Sequence, residues 1–453
     1  MFRTPFIFIA VAGSFFVGCK TISPILEEAQ PPASASWSAP TTTGDVPESR
    51  AWLTDFASPE LAGLVNQALA NNFNLQVSSA RIRAAQSVVV QRNASRRPRL
   101  SVGADASRTD GRFFSASDSF TLGPNVRWEI DLWDRLALQR DASSLDVETL
   151  ADTEQALRFS LAIAVVRNWC RLATNQQLLN LADETIASYA KTLQAVEDQV
   201  DGGIATVVDV NLARANLASS RAVRHGTERQ QAQDLRALDV LLGRHPSGKQ
   251  TTPRTLPQIT LVPAGLPSEL LLRRHDLRAA QASLAAARLR REAAEKLHLP
   301  SLILSGNAGT TSNKLFDLLN TNNLFWSMAA GLSQPIFAGG GITARKHQAR
   351  AQQEEAAAEW AQAVIGAFQE VETALSAEGF INQEITALEA ASAAAIAAEQ
   401  QTQTRYQEGL SNLTALLVAQ RRALDVKRNL IQTRSARIQN RLSLYLALGG
   451  GFN

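Results

Sequence analysis

Phe120-Thr121-Leu122-Gly123-Pro124-Asn125-Val126-Arg127-Trp128-Glu129-Ile130 decides how this 453-residue chain is read. At period two, Phe120, Leu122, Val126, Trp128 and Ile130 share one face, and Thr121, Gly123, Asn125, Arg127 and Glu129 share the other. A second stretch does the same: Leu324, Trp326, Met328, Ala330 and Leu332 alternate with Phe325, Ser327, Ala329, Gly331 and Ser333. Each is about 10 residues long, the length of a tilted membrane-crossing strand, with tryptophan suited to the interface and a polar inner face. A soluble sheet would need an apolar helix to cover such a face, and none is left over in the chain. Phe120, Leu122, Val126, Trp128, Leu324, Trp326, Met328 and Leu332 are therefore assigned to lipid. A weaker strand precedes each, so strands are expected at about 99–108, 119–131, 301–310 and 324–334.

The two stretches sit at matching places in a duplicated chain. Aligning Leu75 with Leu277 also aligns Pro98 with Pro300, each closing a helical run and opening a strand. Trp133 then meets Phe337, Gly203 meets Gly409, and Leu242-Gly243 meets Leu448-Gly449, with only small slips of register. Repeats of about 190 residues follow, at 58–243 and 267–453, joined by a connector at 244–266 that holds Pro246, Pro253, Pro257 and Pro263. Folding starts at Ser58-Pro59-Glu60, a serine cap before a first-turn proline.

Neither glycine nor proline occurs from Arg135 to Asp201, and only Gly366 and Gly379 interrupt Ile342 to Glu408. At 1.5 Å per residue each run is about 100 Å of helix, which needs partners along its whole length. Ile186, Tyr189, Leu193, Val196 and Val200, and likewise Leu417, Leu424, Ile431, Ile438 and Tyr445, supply coiled-coil seams. Long hairpins are expected at about 135–243 and 340–448, turning at 202–205 and 409–412 on Gly203 and Gly409.

Four strands cannot close a barrel, and an open edge in lipid leaves unpaired backbone groups. Closure requires several chains: two, three or four copies would give eight, twelve or sixteen strands.

The start of the chain is a short cationic and apolar run, Arg3 then Phe6 to Val17, read as a signal peptide at 1–18. Its end, Phe16-Val17-Gly18-Cys19, resembles a bacterial lipobox, which implies an acylated, palmitate-bearing Cys19 as the mature terminus. Lys20 stands where an inner-membrane lipoprotein would carry aspartate, so outer-membrane sorting is implied. Residues 19–57, rich in Pro, Ala, Ser and Thr to about Arg50, read as an extended tether. Cys170 has no intrachain partner and reads as a packed helical residue.

With the duplication, the proline switches, Gln334-Pro335-Ile336-Phe337 before Gly339-Gly340, and the tip motifs Gly203-Ile204 through Asp209-Val210 and Arg405-Tyr406-Gln407-Glu408-Gly409 through Ala419-Gln420, the chain resembles the outer-membrane efflux protein family. These are the TolC-like channels, and the likeness is to their lipid-anchored branch. The resemblance implies a mainly α protein with a transmembrane β-barrel: a homotrimer of four strands per chain, twelve in all, continuing into a periplasmic coiled-coil tunnel. Its tip would dock a periplasmic adaptor and an inner-membrane transporter, proton-driven in the small-molecule branch. The family pairs the tyrosine of Arg-Tyr-x-x-Gly with an aspartate across the tip, here Tyr406 with Asp209. Ser411 stands where some relatives have a gate arginine, and Ala415 and Val418 where relatives place ringed aspartates. The tip gate is therefore assigned to Asp209, Tyr406, Leu413 and Val418, with closure leaning on apolar groups such as Leu413.

Other chemistry finds little support. Gly243-Arg244-His245-Pro246-Ser247-Gly248-Lys249-Gln250 mimics a phosphate loop, but Gln250 replaces the metal-binding hydroxyl and a helix, not a strand, precedes it. The histidines lack metal-ligand spacing, and Met1 and Met328 form no thioether path for copper. The formal charge of +3 argues for no polyanion, and Arg92, Arg96, Arg97 and Arg99 read as helix-end or lipid-headgroup groups rather than a nucleic-acid patch. No enzyme activity, cofactor or metal is implied. An exit duct for drugs or other small molecules is the main reading, a channel of a type I protein-secretion system the alternative, and a pore-free periplasmic scaffold is disfavoured by the strands.

Overall fold

In the structure, a computed structural model, the described residues are 37–38, 53, 56, 58–253, 255–257 and 273–449. The signal segment 1–18, Cys19, most of the tether, and residues 254 and 258–266 of the connector lie outside them. The first repeat runs α1 (Pro59–Asn71), α2 (Phe73–Ala94), β1 (Arg99–Gly111), β2 (Phe114–Ile130), α3 (Arg135–Asp201) and α4 (Val207–Leu241). The second runs α5 (His275–Glu295), β3 (Ser301–Ser312), β4 (Leu324–Ser333), α6 (Gly341–Gln407) and α7 (Leu413–Ala447). The long helices match to the residue, α3 and α6 at 67 and α4 and α7 at 35. Gly366 and Gly379 lie inside an unbroken α6.

The four strands form one antiparallel sheet in the order β1-β2-β3-β4, which leaves β1 and β4 as edges. β1 and β2 run past the expected ends, to Gly111 and back to Phe114. There Arg108 and Asp118 form an ion pair at 3.6 Å, and the ladder continues beyond the apolar stretch. Where both faces are polar the period-two signal vanishes although the hydrogen bonds do not.

At the helix-proximal end of the sheet, turns set the helices in place. Asp131 caps α3 by accepting from the Leu136 and Ala137 backbone N–H groups at 3.0 and 2.8 Å. Asp134, with φ 57, and Gly340, with φ 83, occupy equivalent left-handed N-cap positions of α3 and α6. Trp128 Nε1 donates to the Arg96 carbonyl at 2.9 Å and Trp133 Nε1 to the Pro300 carbonyl at 2.7 Å, so each indole ties a strand end to a neighbouring segment.

Two apolar clusters hold the helices. The larger one joins α1 (Leu61, Val65), the middle of α3 (Ile163, Val166, Leu172) and α6 (Val364, Val371), and the returning ends of α4 (Leu238) and α7 (Leu442, Leu444). Cys170 packs in it, and burial pushes its thiol up to about 12. Arg274 stitches α5 to this core through Asp276, Glu370 (2.7 Å) and the Ala447 carbonyl (3.0 Å). Described residues of the 19–57 segment pack against the helices. Trp37 meets the Phe368 ring edge-on at 6.1 Å, the Ser38 N–H donates to Glu372 at 2.7 Å, and Phe56 is buried in the core. The described aromatic residues of this segment find apolar surface.

Candidate functional site

The second cluster lies at the hairpin tips: Tyr189, Val196, Val210, Ala213, Leu217, Tyr406, Leu413, Leu416 and Leu417. Both turns are built alike. Gly203 (φ 73) and Gly409 (φ 75) are left-handed, and the following N–H groups reach back five residues, Ile204 to the Gln199 carbonyl and Leu410 to the Arg405 carbonyl, each at 2.8 Å. This is the Schellman closure that glycine makes without a Cβ penalty. The next helices start on Thr206 and Asn412, whose side chains accept from the Asp209 and Ala415 N–H groups.

The expected Tyr406–Asp209 hydrogen bond is absent. Tyr406, 7% exposed, donates instead to Gln199 Oε1 at 2.7 Å. Asp209 is committed to its own helix start, accepting from the Thr206 N–H at 2.9 Å and the Thr206 hydroxyl at 2.7 Å in a capping box. The Thr206 hydroxyl bond, seconded by its backbone N–H, holds the Asp209 carboxyl below the usual aspartate range. Burial first, and the nearby Asp209 charge second, push the Tyr406 phenol above its ordinary value, so the two side chains share a field but no bond. Leu413, 5% exposed, packs in the tip cluster of its own chain. As the first residue of α7 it shares this cluster with Tyr189, Val196 and Tyr406. Val418, 53% exposed, and Ala415 stand on the free face of α7 one turn apart. Ile204, Val207, Val208 and Leu410 are also exposed at the tips.

In the sheet, residues opposite one another share a face, so the register assigns every side chain. Leu100 pairs with Val126, Trp128 with Leu304, and Leu302 with Leu332, which puts Phe120, Leu122, Val126, Trp128, Leu324, Trp326, Met328 and Leu332 on one apolar face. The other face carries Ser101, Asn125, Asn307 and Ser327 in one row. Trp326 and Met328 are 76% and 82% exposed, with nothing among the described residues covering them. Among the described residues no helix is long and apolar enough to cross a membrane.

The phosphate-loop lookalike closes on its own carboxylate. Asp239 accepts from the Gly248 N–H at 2.7 Å, the Ser247 hydroxyl and the Gln250 amide. Burial works to raise the Asp239 pKa, but these hydrogen bonds outweigh it and leave the group depressed. Among the described residues no cluster of histidine, cysteine and carboxylates could hold a metal. Two features were missed in the sequence. Gln199 had no signal of its own, while the close approach of β2 and β3 at Gly123 and Gly309, where a Cβ on either glycine would meet the other strand's backbone, had one, since glycine inside a strand marks a close backbone approach.

The profile of the outer membrane efflux proteins matches residues 64–244 and 266–450. The chain is 29% identical over 459 residues to the solvent efflux pump outer membrane protein SrpC of Pseudomonas putida, covering 96% of each. It is 30% identical over 411 residues to the cation efflux system protein CusC of Escherichia coli O6:H1, covering 88% of each. Of solved structures, the outer-membrane channel OprN superposes with a TM-score of 0.86 at 29% identity, over 93% of this chain and 98% of that one. The open state of the Neisseria gonorrhoeae MtrE channel gives 0.83 at 26% identity, over 93% and 96%. With both repeats matched and the barrel sheet and paired long hairpins in place, this chain belongs to the outer membrane efflux protein family.

Proposed function

We propose that the protein is the exit duct of a tripartite efflux pump. Three copies form a twelve-stranded barrel in the outer membrane and a helical tunnel below it. The duct passively conducts small molecules received through a periplasmic adaptor from a proton-driven inner-membrane transporter. The observation that carries this reading is the sheet, apolar and exposed on one face and open at β1 and β4, set on hairpins of about 100 Å. In lipid each unpaired backbone group at those edges costs several kcal/mol, so the edges must meet other copies. The apolar face then lies against lipid and the polar face lines the lumen. The likeness to solvent and cation efflux proteins supports small solutes as cargo. The exposed tips around Gly203 and Gly409 fit the adaptor, Tyr406 and Val418 fit the resting gate, and Cys19 fits a lipid anchor.

Membrane-extracted mature protein should be trimeric by native mass measurement and should give stepwise conductance in planar bilayers. A monomer or dimer as the sole extracted species would sink the barrel.

A further inference from the structure

One level of the polar face of the sheet is basic. Arg99 of β1 stands directly opposite Arg127 of β2, and the row continues through Ser305 and Ala329. Both arginines are exposed. Like charges directly opposite on one face destabilise an antiparallel pair, so folding does not account for this one. The neighbouring carboxylates are engaged elsewhere. Glu129, two residues along the face, is bound to Arg135 at 2.5 Å. Asp131 caps α3 and lies 3.7 Å from Arg96. Asp134 sits beyond the strand end, in the turn into α3. Even with Asp134 counted, four guanidiniums face three carboxylates in each copy. The edge strand β4, which would meet β1 of the next copy, has no charged residue from Leu324 to Ser333. Farther along β1, Asp105 shares the polar face, but six residues of strand put it about 20 Å away. That exceeds two screening lengths of about 8 Å at physiological salt.

We propose that Arg99 and Arg127, repeated three times around the barrel, form a basic ring in the lumen where barrel meets tunnel. The ring makes the conduit selective for anions: chloride-sized ions, and solutes bearing carboxylate, sulfonate or phosphate groups. This rests on the duct reading, because only closure of the barrel brings the six guanidiniums around one lumen. Rings of like charge set ion selectivity in pores, and the guanidinium fork binds oxyanions through paired N–H groups without losing its charge. Arg99 therefore belongs to the lumen rather than to the helix end or the lipid headgroups.

Reversal potentials of purified trimers in planar bilayers under a KCl gradient test the ring. The wild type is expected to pass chloride in preference to potassium. Arg99→Gln with Arg127→Gln should lose the preference, Arg127→Glu should invert it, and the double lysine variant should keep it. Inorganic pyrophosphate should lower the conductance of the wild type and of the lysine variant but not of the glutamine variant. Native mass of each variant establishes assembly independently. A conducting wild-type trimer that prefers potassium, or a glutamine variant that keeps the wild-type preference, overturns the ring and leaves the duct standing. Absence of any conducting trimer removes both.

Discussion

Tyr406 reaches across from one hairpin to the other, and its acceptor is Gln199 at 2.7 Å. The Arg-Tyr-x-x-Gly motif locates the tyrosine but not its partner. Gln199 and Asp209 lie on either side of the same turn, and Thr206 claims the aspartate through the capping box, a local demand that outranks the distant one. Tyr406→Phe should cost about 0.5–1.5 kcal/mol per copy. Gln199→Leu should cost about the same. In a double-mutant cycle on the thermal midpoint of the trimer these two changes should be strongly non-additive, whereas Tyr406→Phe and Asp209→Ala should add. Additivity of the first pair would return the gate to other contacts. Tyr406→Phe should also raise open probability, since three such bonds are lost around one aperture. Val418 makes a second residue-scale prediction. Uncharged and exposed on the free face of α7, it gives trivalent cations no hold, so their block from the periplasmic side should be weak. Val418→Asp sets three carboxylates around the axis and should produce tight block together with a shift toward cation passage. Tight block of the wild type would show acidic groups elsewhere at the tip.

At the scale of elements, the β2–β3 pairing shows what side-chain patterns leave out. Pairing holds at Leu122 with Thr310 and at Asn125 with Asn307, and lapses between them, where Pro124 has no N–H to give. The backbones close in across the lapse: a Cβ built on Gly309 would lie 2.2 Å from the Leu122 carbonyl oxygen, and one on Gly123 would lie 1.9 Å from that of Ala308. Gly309→Val should therefore abolish trimer recovery from membranes, while Gly103→Ala, whose Cβ meets nothing nearer than 3.6 Å, should assemble normally. Recovery of heat-resistant trimer on gels reads both, and a normal yield for Gly309→Val would mean that the sheet can part there. The alternation of Phe120 to Ile130 and Leu324 to Ser333 was legible because lipid and lumen impose opposite demands on successive residues. The outward extension of the β1–β2 hairpin was not, because above the membrane both faces are wet. The long helices could be read from their lack of breakers and the tips from their glycines. The burial of Leu413 was hidden, because period alone does not say which of two neighbouring apolar residues, Leu413 or Val418, turns into the hairpin core.

For the whole molecule, the remaining question is what the lipid anchor proposed at Cys19 would add to twelve strands. Trp37 docks on Phe368, which lies 27 residues below the membrane-proximal start of α6 at Gly341, about 40 Å of helix. Trp37 lies eighteen residue steps from Cys19 in the sequence, and fully extended these span roughly 60 Å. That reach exceeds the 40 Å, so a lipid of the kind proposed at Cys19 could sit in the inner leaflet of the outer membrane while Trp37 stays on Phe368. An acyl chain contributes about 0.8 kcal/mol per buried CH2 and closes no hydrogen bond, whereas the edges at β1 and β4 are satisfied only by other copies. Lipid and barrel should therefore separate in experiment. Cys19→Ala should abolish labelling by a radioactive or clickable palmitate analogue, yet leave trimer mass, outer-membrane fractionation and single-channel conductance at wild-type values. An unlabelled wild type would remove the anchor. A Cys19→Ala protein that is exported but stays monomeric would show that the lipid, by concentrating copies on one leaflet, is needed before the strand edges can meet.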